Sequence, residues 1–313
     1  MYLAPKKIRK GSRVAIIAPA SPIHPDRLVE GLDIIREAGL IPILGPCVKN
    51  LRTEGCSSAP LKDRVDEMNW AFKAPEISGV ICALGGEGSA ALLPHLDYGM
   101  IRNSRKLFLG RSDITALNTG LLAHAGLISI NGQTPSIHID RGEQIRKNEA
   151  ESFFHTLRLI MSDEPWGSKP FEKNSNVLRT VSPGVAKGIA VGGNTDTFTR
   201  LFGTPHMHDL EGTIVFIEDI HKGGTVLDRE FLHMQLAGVM EAAAGFVIGE
   251  FQDIDKSSKI NIEDVVQKYF AGNVPCSFGH PFSHGPIVAP IPIGAMCKLD
   301  ADSCEVSFDF SMG

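Results

Sequence analysis

One serine stands where an apolar run passes through a glycine into residues that favour a first helical turn: Lys106-Leu107-Phe108-Leu109-Gly110-Arg111-Ser112-Asp113-Ile114-Thr115. Two chemistries fit it. Ser112 can cap the helix, or it can be a nucleophile at a strand-to-helix turn, where free amides and the helix dipole favour developing negative charge. The hydrolase pattern G-x-S-x-G is not met, because Ile114 occupies the place of its second glycine. If Ser112 attacks a carbonyl, the amide of Asp113 and one from the Gly85–Gly86 turn are candidate oxyanion donors. That turn, Gly85-Gly86-Glu87-Gly88, could equally cradle a phosphate, although it lacks both the G-x-G-x-x-G spacing and a Walker lysine.

A serine nucleophile needs a base, and the base needs an orienting group. Eleven histidines are available. His95, His124 and His155 fall in helical stretches, whereas His280 and His284 lie in the Gly/Pro-rich tract Ser277–Pro286, a loop able to display an imidazole. Spacing alone does not separate these two. Glu218 ends the apolar run Thr213–Ile217 and can reach across a cleft, while Asp219 beside it suits a turn.

The elements that must position these residues follow from hydrophobic periodicity. Short apolar runs at 14–18, 41–44, 77–84, 106–109 and 127–130 alternate with helical stretches near 28–37, 61–72, 113–124 and 141–161. Strands buried on both faces between helices mean a parallel sheet covered on each side, hence an α/β fold. Residues 162–184 are polar and rich in Pro, Gly, Lys and Asn, and read as a linker between a domain at 1–161 and one at 185–313. The second half is richer in strands, at 185–191, 213–217, 245–251, 274–278, 287–299 and 305–310, with helices at 195–202, 226–240 and 262–270.

At 313 residues the chain can bury a large core, and its net charge of −5 argues against a nucleic-acid groove. The basic run Lys6–Lys10 is short and reads as a solvated surface. No apolar run reaches the roughly 20 residues of a membrane span. No signal-peptide pattern opens the chain, so a cytoplasmic location is expected. The six cysteines form no CxxC pair or zinc-type spacing and read as reduced thiols.

The blocks LGGEGSAALLPHLDYGMI, KLFLGRSDITAL, VGGNTDTFTRLFGTP, GTIVFIED, LDREFLHMQL and GHPFSHGPIVAPIPIGA resemble, in that order, the LD-carboxypeptidase family of serine peptidases, which includes the microcin C self-immunity peptidases. The resemblance runs from about residue 14 to 297 and implies a flavodoxin-like N-terminal domain with a parallel sheet. A smaller β-rich α/β C-terminal domain follows, with the site between the two. It implies a Ser-Glu-His triad of Ser112, Glu218 (upstream of Asp228-Arg229) and His284 (ahead of Pro292-Ile293-Gly294), with His280 as the competitor. It further implies oxyanion donors at Asp113 and Gly86, no metal or cofactor, and a homodimer.

Three positions depart from the family pattern: Arg111 replaces an aromatic before the nucleophile, Glu87 an aromatic or Asn, and Asn131-Gly132-Gln133 a more typical loop. Arg111, Glu87, Gly85 and Trp166 are therefore the expected substrate-contacting residues. Arg111 either pairs with a substrate carboxylate or with Glu87. Trp166 either stacks on a base or anchors a Pro-Trp-Gly turn. The implied activity is release of a terminal D-amino acid from a muropeptide during cell-wall recycling. A peptidase acting on aminoacyl-nucleotide amides is the alternative within the family, and a non-catalytic nucleotide- or anion-binding protein the alternative outside it.

Overall fold

The structure, a computed structural model, describes residues 2–50, 53–171, 177–255, 258–272, 274–282, 284–285 and 287–313. In the first half, β1 (Arg13–Ile17), β2 (Ile41–Leu44), β3 (Ile77–Cys82), β4 (Leu107–Leu109) and β5 (Ser129–Asn131) run parallel in the order β2-β1-β3-β4-β5. This is the flavodoxin-like order, whose ligand crevice lies beyond the carboxyl ends of the strands. The helices here are α1 (Pro25–Glu37), α2 (Pro46–Lys49), α3 (Leu61–Lys73), α4 (Tyr98–Ser104), α5 (Thr115–Gly120) and α6 (Glu143–Met161).

Strand side chains alternate between two cores, as the two-residue period demands. Val14, Ile16, Ile81, Leu107 and Leu109 pack with Leu28, Ile35, Phe153 and Leu157 of α1 and α6. Ala15, Ile17, Val80, Cys82 and Phe108 pack with Met68, Phe72, Ile101 and Leu117 of α3, α4 and α5. The continuous apolar character of the strands is thus explained by helices on both faces.

The second sheet holds β6 (Arg179–Ser182), β7 (Val185–Asn194), β8 (Ile214–Glu218), β9 (Gly245–Gly249), β10 (Cys276–His280), β12 (Met296–Asp300) and β13 (Glu305–Asp309), after β11 (Ile291–Ile293) is set aside. Strands β7 to β10 are parallel, and β6, β12 and β13 are added antiparallel at the edges. Its helices are α7 (Thr195–Thr199), α8 (Gly224–Leu236), α9 (Val239–Ala242) and α10 (Ile262–Phe270). Phe231 of α8 meets Phe270 of α10 edge-on at 5.0 Å, and Phe270 meets Phe246 of β9 at 4.9 Å, so aromatic contacts fasten these helices to the sheet.

Two segments differ from the sequence reading. Residues 179–182, inside the expected linker, form the edge strand β6 (residues 172–176 lie outside the described residues). The run 287–299, read as one strand, is two strands in different sheets. β11 pairs antiparallel with β5, while β12 pairs with β7. The break is Gly294, at φ 97°, where a Cβ would stand 2.5 Å from Leu122 Cδ1. A left-handed backbone and that close approach both select glycine. Gly294→Ala is expected to lower stability by about 2–4 kcal/mol, the sum of a strained backbone and overpacking. The urea midpoint should fall at unchanged m-value.

Candidate active site

The carboxyl ends of β3 and β4 deliver two turns to one place. After β4, Gly110 donates its N–H to Ile130 O at 3.0 Å, and a Cβ there would lie 2.6 Å from Ile114 Cγ2. Ser112 then takes φ 63°, a left-handed conformation that costs a non-glycine residue about 1–2 kcal/mol. The surrounding bonds hold it there. Asp113 Oδ2 accepts the Ser89 N–H at 2.8 Å, Ser89 Oγ donates to Asp113 O at 2.7 Å, and the Ile114 N–H donates to Arg111 O at 3.2 Å. Burial raises the pKa of the Asp113 carboxyl, and these donors oppose the rise. The turn after β3 presses on this elbow. A Cβ on Gly85 would lie 2.8 Å from Arg111 O and 2.9 Å from Ser112 Cβ.

Ser112 is not the N-cap of the turn or of the helix that follows, positions held by Arg111 and Ile114. Its hydroxyl instead lies 3.1 Å from His284 Nε2, and His284 Nδ1 lies 2.8 Å from Glu218 Oε2. With Glu218 as carboxylate, Nδ1–H donates to it, leaving the Nε2 lone pair to accept the serine hydroxyl. Glu218 is fully buried and His284 is half-buried. Such a chain can move a proton off Ser112 and stabilise the imidazolium formed.

Glu218 ends β8 and owes its place to small neighbours and polar ties. A Cβ on Gly249 would come within 2.8 Å of Glu218 Cβ and 2.9 Å of the Phe282 ring. Thr195 Oγ1 donates to Glu218 O at 2.9 Å. Asp219 organises the adjoining turns by accepting Asn194 Nδ2 at 3.1 Å and the amides of Ile220 at 2.8 Å and Asp196 at 3.0 Å. Burial, reinforced by the Glu218 charge, raises its pKa.

His280 is in the core. It is 1 % exposed, shares a 2.7 Å bond with Ser277 Oγ, and burial pushes its pKa down to about 3. His280 thus ends β10 rather than lying in the expected loop, and of the two histidines the tertiary structure brings His284 to the serine. Trp166 requires a correction. Its ring is fully buried, edge-on to Phe310 at 5.1 Å, and its backbone N–H donates to Phe310 O at 2.8 Å. A ring with no exposed face cannot stack on a base, so Trp166 anchors the chain beside β13.

The remaining expected contacts surround the serine differently. Glu87 is exposed, its N–H donates to Ser21 Oγ at 3.0 Å, and its carboxylate accepts a hydrogen bond from the Cys56 thiol, raising that thiol's pKa. Arg111 is partly exposed, and Glu149 and Glu218 are the carboxylates acting on it. The sequence reading did not single out Thr115 and Asn194, whose bond (Asn194 N–H to Thr115 Oγ1, 3.0 Å) joins the helix after Ser112 to the second sheet. The glycine pair before Asn194 was the available signal. A Cβ on Gly193 would lie 2.4 Å from Thr115 Oγ1.

His280 makes a pH prediction. Folded, it takes up its proton only near pH 3, against the ordinary value of 6.5. Between these values the unfolded chain binds more protons, so stability rises with pH and is lost as pH falls from 6.5 toward 3. His280→Gln should flatten the fall in melting temperature across that window, measured by thermal unfolding at stepped pH.

Residues 14–132 match the LD-carboxypeptidase N-terminal domain and residues 187–299 the LD-carboxypeptidase C-terminal domain. A probable murein peptide carboxypeptidase of Bacillus subtilis is 30 % identical over 95 % of this chain and 91 % of its own length. The Microcin C7 self-immunity protein MccF of Escherichia coli is 27 % identical over 93 % of this chain and 90 % of its own. MccF in complex with aspartyl sulfamoyl adenosine superposes with a TM-score of 0.85 at 23 % identity, covering 99 % of both chains. Muramoyltetrapeptide carboxypeptidase from Oxalobacter formigenes gives 0.77 at 23 % identity, covering 95 % of this chain and 98 % of its own. These structural likenesses show a shared two-domain fold. The two domain matches, together covering most of the chain, and the 30 % relative show that the protein belongs to the LD-carboxypeptidase family of peptidases.

Proposed function

We propose that this protein is a serine carboxypeptidase that removes the terminal D-amino acid from muropeptides, cutting the amide between an L-configured centre and that residue. Ser112 is its nucleophile, His284 its base and Glu218 its orienting acid. The observation that carries the reading is the bonded chain Ser112–His284–Glu218, assembled at the carboxyl end of β4 from two different sheets. Ser112 Oγ forms a bond to the amide carbon as its proton passes to His284 Nε2. The C–N bond then breaks, and the leaving nitrogen takes that proton. Water, deprotonated by the same imidazole, hydrolyses the ester and returns the proton to Ser112.

The developing oxyanion is assigned to the amides of Asp113 and Gly86. Among the described residues neither N–H has an intramolecular acceptor, which supports this role. The close packing of Gly85 on Ser112 keeps the two turns adjacent. Muropeptide as substrate, and a place in cell-wall recycling, are supported by the 30 % likeness to the murein peptide carboxypeptidase. Cleavage of aminoacyl-nucleotide amides is the second reading, favoured by the fold shared with MccF bound to aspartyl sulfamoyl adenosine. It is weakened by the burial of Trp166, the candidate for stacking on a base. A homodimer working in the cytoplasm without metal or cofactor completes the proposal. No described helix is long and apolar enough to cross a membrane, and Cys47, Cys82, Cys276 and Cys297 are buried unpaired thiols.

A serine-directed phosphonate should label the wild-type protein and leave folded Ser112→Ala unlabelled. An unlabelled wild type would favour the binding-protein reading. Glu218→Gln should lower kcat by about 10³–10⁴-fold, because the imidazole loses its tautomer and its counter-charge. Mass spectrometry after incubation with a murein tetrapeptide and with an aspartyl-adenylate amide assigns the substrate. Loss of the terminal residue from the tetrapeptide is the expected result, and shortening of the nucleotide alone would overturn the muropeptide reading.

A further inference from the structure

A second polar chain lies behind the nucleophile, on elements that take no part in the triad. On the loop after β5, the His138 backbone N–H donates to Glu149 Oε2 at 2.7 Å, and His138 Nδ1 lies 2.7 Å from Glu149 Oε1. On its other side His138 Nε2 lies 2.8 Å from Arg27 Nη2. A guanidinium can only donate, so Nε2 is the acceptor and Nδ1–H the donor, giving one neutral tautomer that satisfies both neighbours. The chain runs from α1 through the loop to α6. It is locked by the Ile137 N–H donating to Arg27 O at 2.9 Å and by Gly31, whose missing side chain admits Pro135 O. His138 and Glu149 expose only 20 % and 11 % of their side chains.

Burial pushes the Glu149 pKa up, but the His138 bonds and the charge of Arg111 outweigh it, and the net shift is downward. Glu149 is therefore a carboxylate at neutral pH, and Arg111, directly before Ser112, lies in its field together with Glu218 and Arg27. Polar atoms without partners gather in the same region. Both amide atoms of Asn131, Gln133 Oε1, Ser136 Oγ and Arg27 Nε are buried with no hydrogen bond among the described residues. Asn131 and Gln133 are 2 % and 0 % exposed, and Asn131 ends β5 beside Gly110 through the Gly110–Ile130 bond. Buried polar groups are nearly always paired, so a bare set at one strand end marks a place for a polar ligand or ordered water.

The chemistry narrows the ligand, given the peptidase reading on which this inference rests. In a terminal amino acid the carboxylate carbon is two bonds from the scissile nitrogen. Its recognition group must therefore sit within a side chain's length of the nucleophile, as a residue adjacent to Ser112 does. A planar guanidinium fork suits a carboxylate better than a point charge. We propose that Arg111 recognises the free terminal carboxylate of the substrate, and that Glu149, His138 and Arg27 are positioning residues holding its guanidinium. An aromatic at 111 could pack on a substrate but could not form this pair.

The test compares one L,D-peptide with a free C-terminal carboxylate against its C-terminal carboxamide. Wild type should prefer the acid by about 100-fold in kcat/KM, the scale of a buried charge-assisted pair. Arg111→Met should bring that ratio near 1, mainly through KM for the acid. Arg111→Lys should keep part of it, and Glu149→Gln should lower it without removing it. Equal turnover of acid and amide by wild type, or an unchanged ratio in Arg111→Met, overturns the inference and leaves the peptidase reading standing. Turnover of neither peptide by a wild type that is also unlabelled by the phosphonate overturns both.

Discussion

The site depends on one junction, where the end of β7 meets the helix that follows Ser112. Ser112 belongs to the first sheet, and Glu218 and His284 to the second sheet and its loops, so nothing local brings them together. The Asn194 N–H on Thr115 Oγ1, with Gly193 bare against the same hydroxyl, sets the distance between the two halves. A side chain at Gly193 would press on Thr115 Oγ1 and Asn131 Nδ2 across this junction, and a shift of about 1 Å is enough to degrade a catalytic constellation. The chain reinforces this junction by crossing back at Gly294, lending β11 to the first sheet before β12 returns to the second.

Electrostatics impose a second constraint. Glu218 is fully buried near Ser112, and burial alone would favour the neutral forms of the neighbouring Asp219 and Asp113. Each is met by its own donors: His284 for Glu218, three N–H groups for Asp219, the Ser89 amide for Asp113. The charge of Arg111 is felt by Glu149, and Glu149 and Glu218 both favour its charged form. Charges therefore alternate from Arg27 through Glu149 and Arg111 to Glu218. A substrate anion can join such a series at a cation without stranding an unpaired charge.

The strain at Ser112 fits the same economy of placement. A left-handed serine is unfavourable alone, and it persists because Gly85, Gly110 and the Asp113–Ser89 bonds leave no relaxed alternative. Its reward is geometric: the hydroxyl points away from helix capping and toward His284.

The sequence by itself determined the α/β class, most strand and helix positions in the first half, and a short set of candidates that held Ser112, Glu218, His280 and His284. Hydrophobic period and turn composition are local properties, and the ordered motif blocks are written along the chain. What only the tertiary structure decided depends on contacts between distant segments. It separated His284 from His280, four positions apart in the chain, by burying one imidazole at the end of β10 and delivering the other to the serine. It turned Trp166 inward against Phe310, divided 287–299 between two sheets, and added β6 from a segment whose polar composition suits an edge strand as well as a linker. The Arg27–His138–Glu149 chain was invisible for the same reason, since its members sit on three elements that meet only when α1 and α6 pack on one face of the sheet.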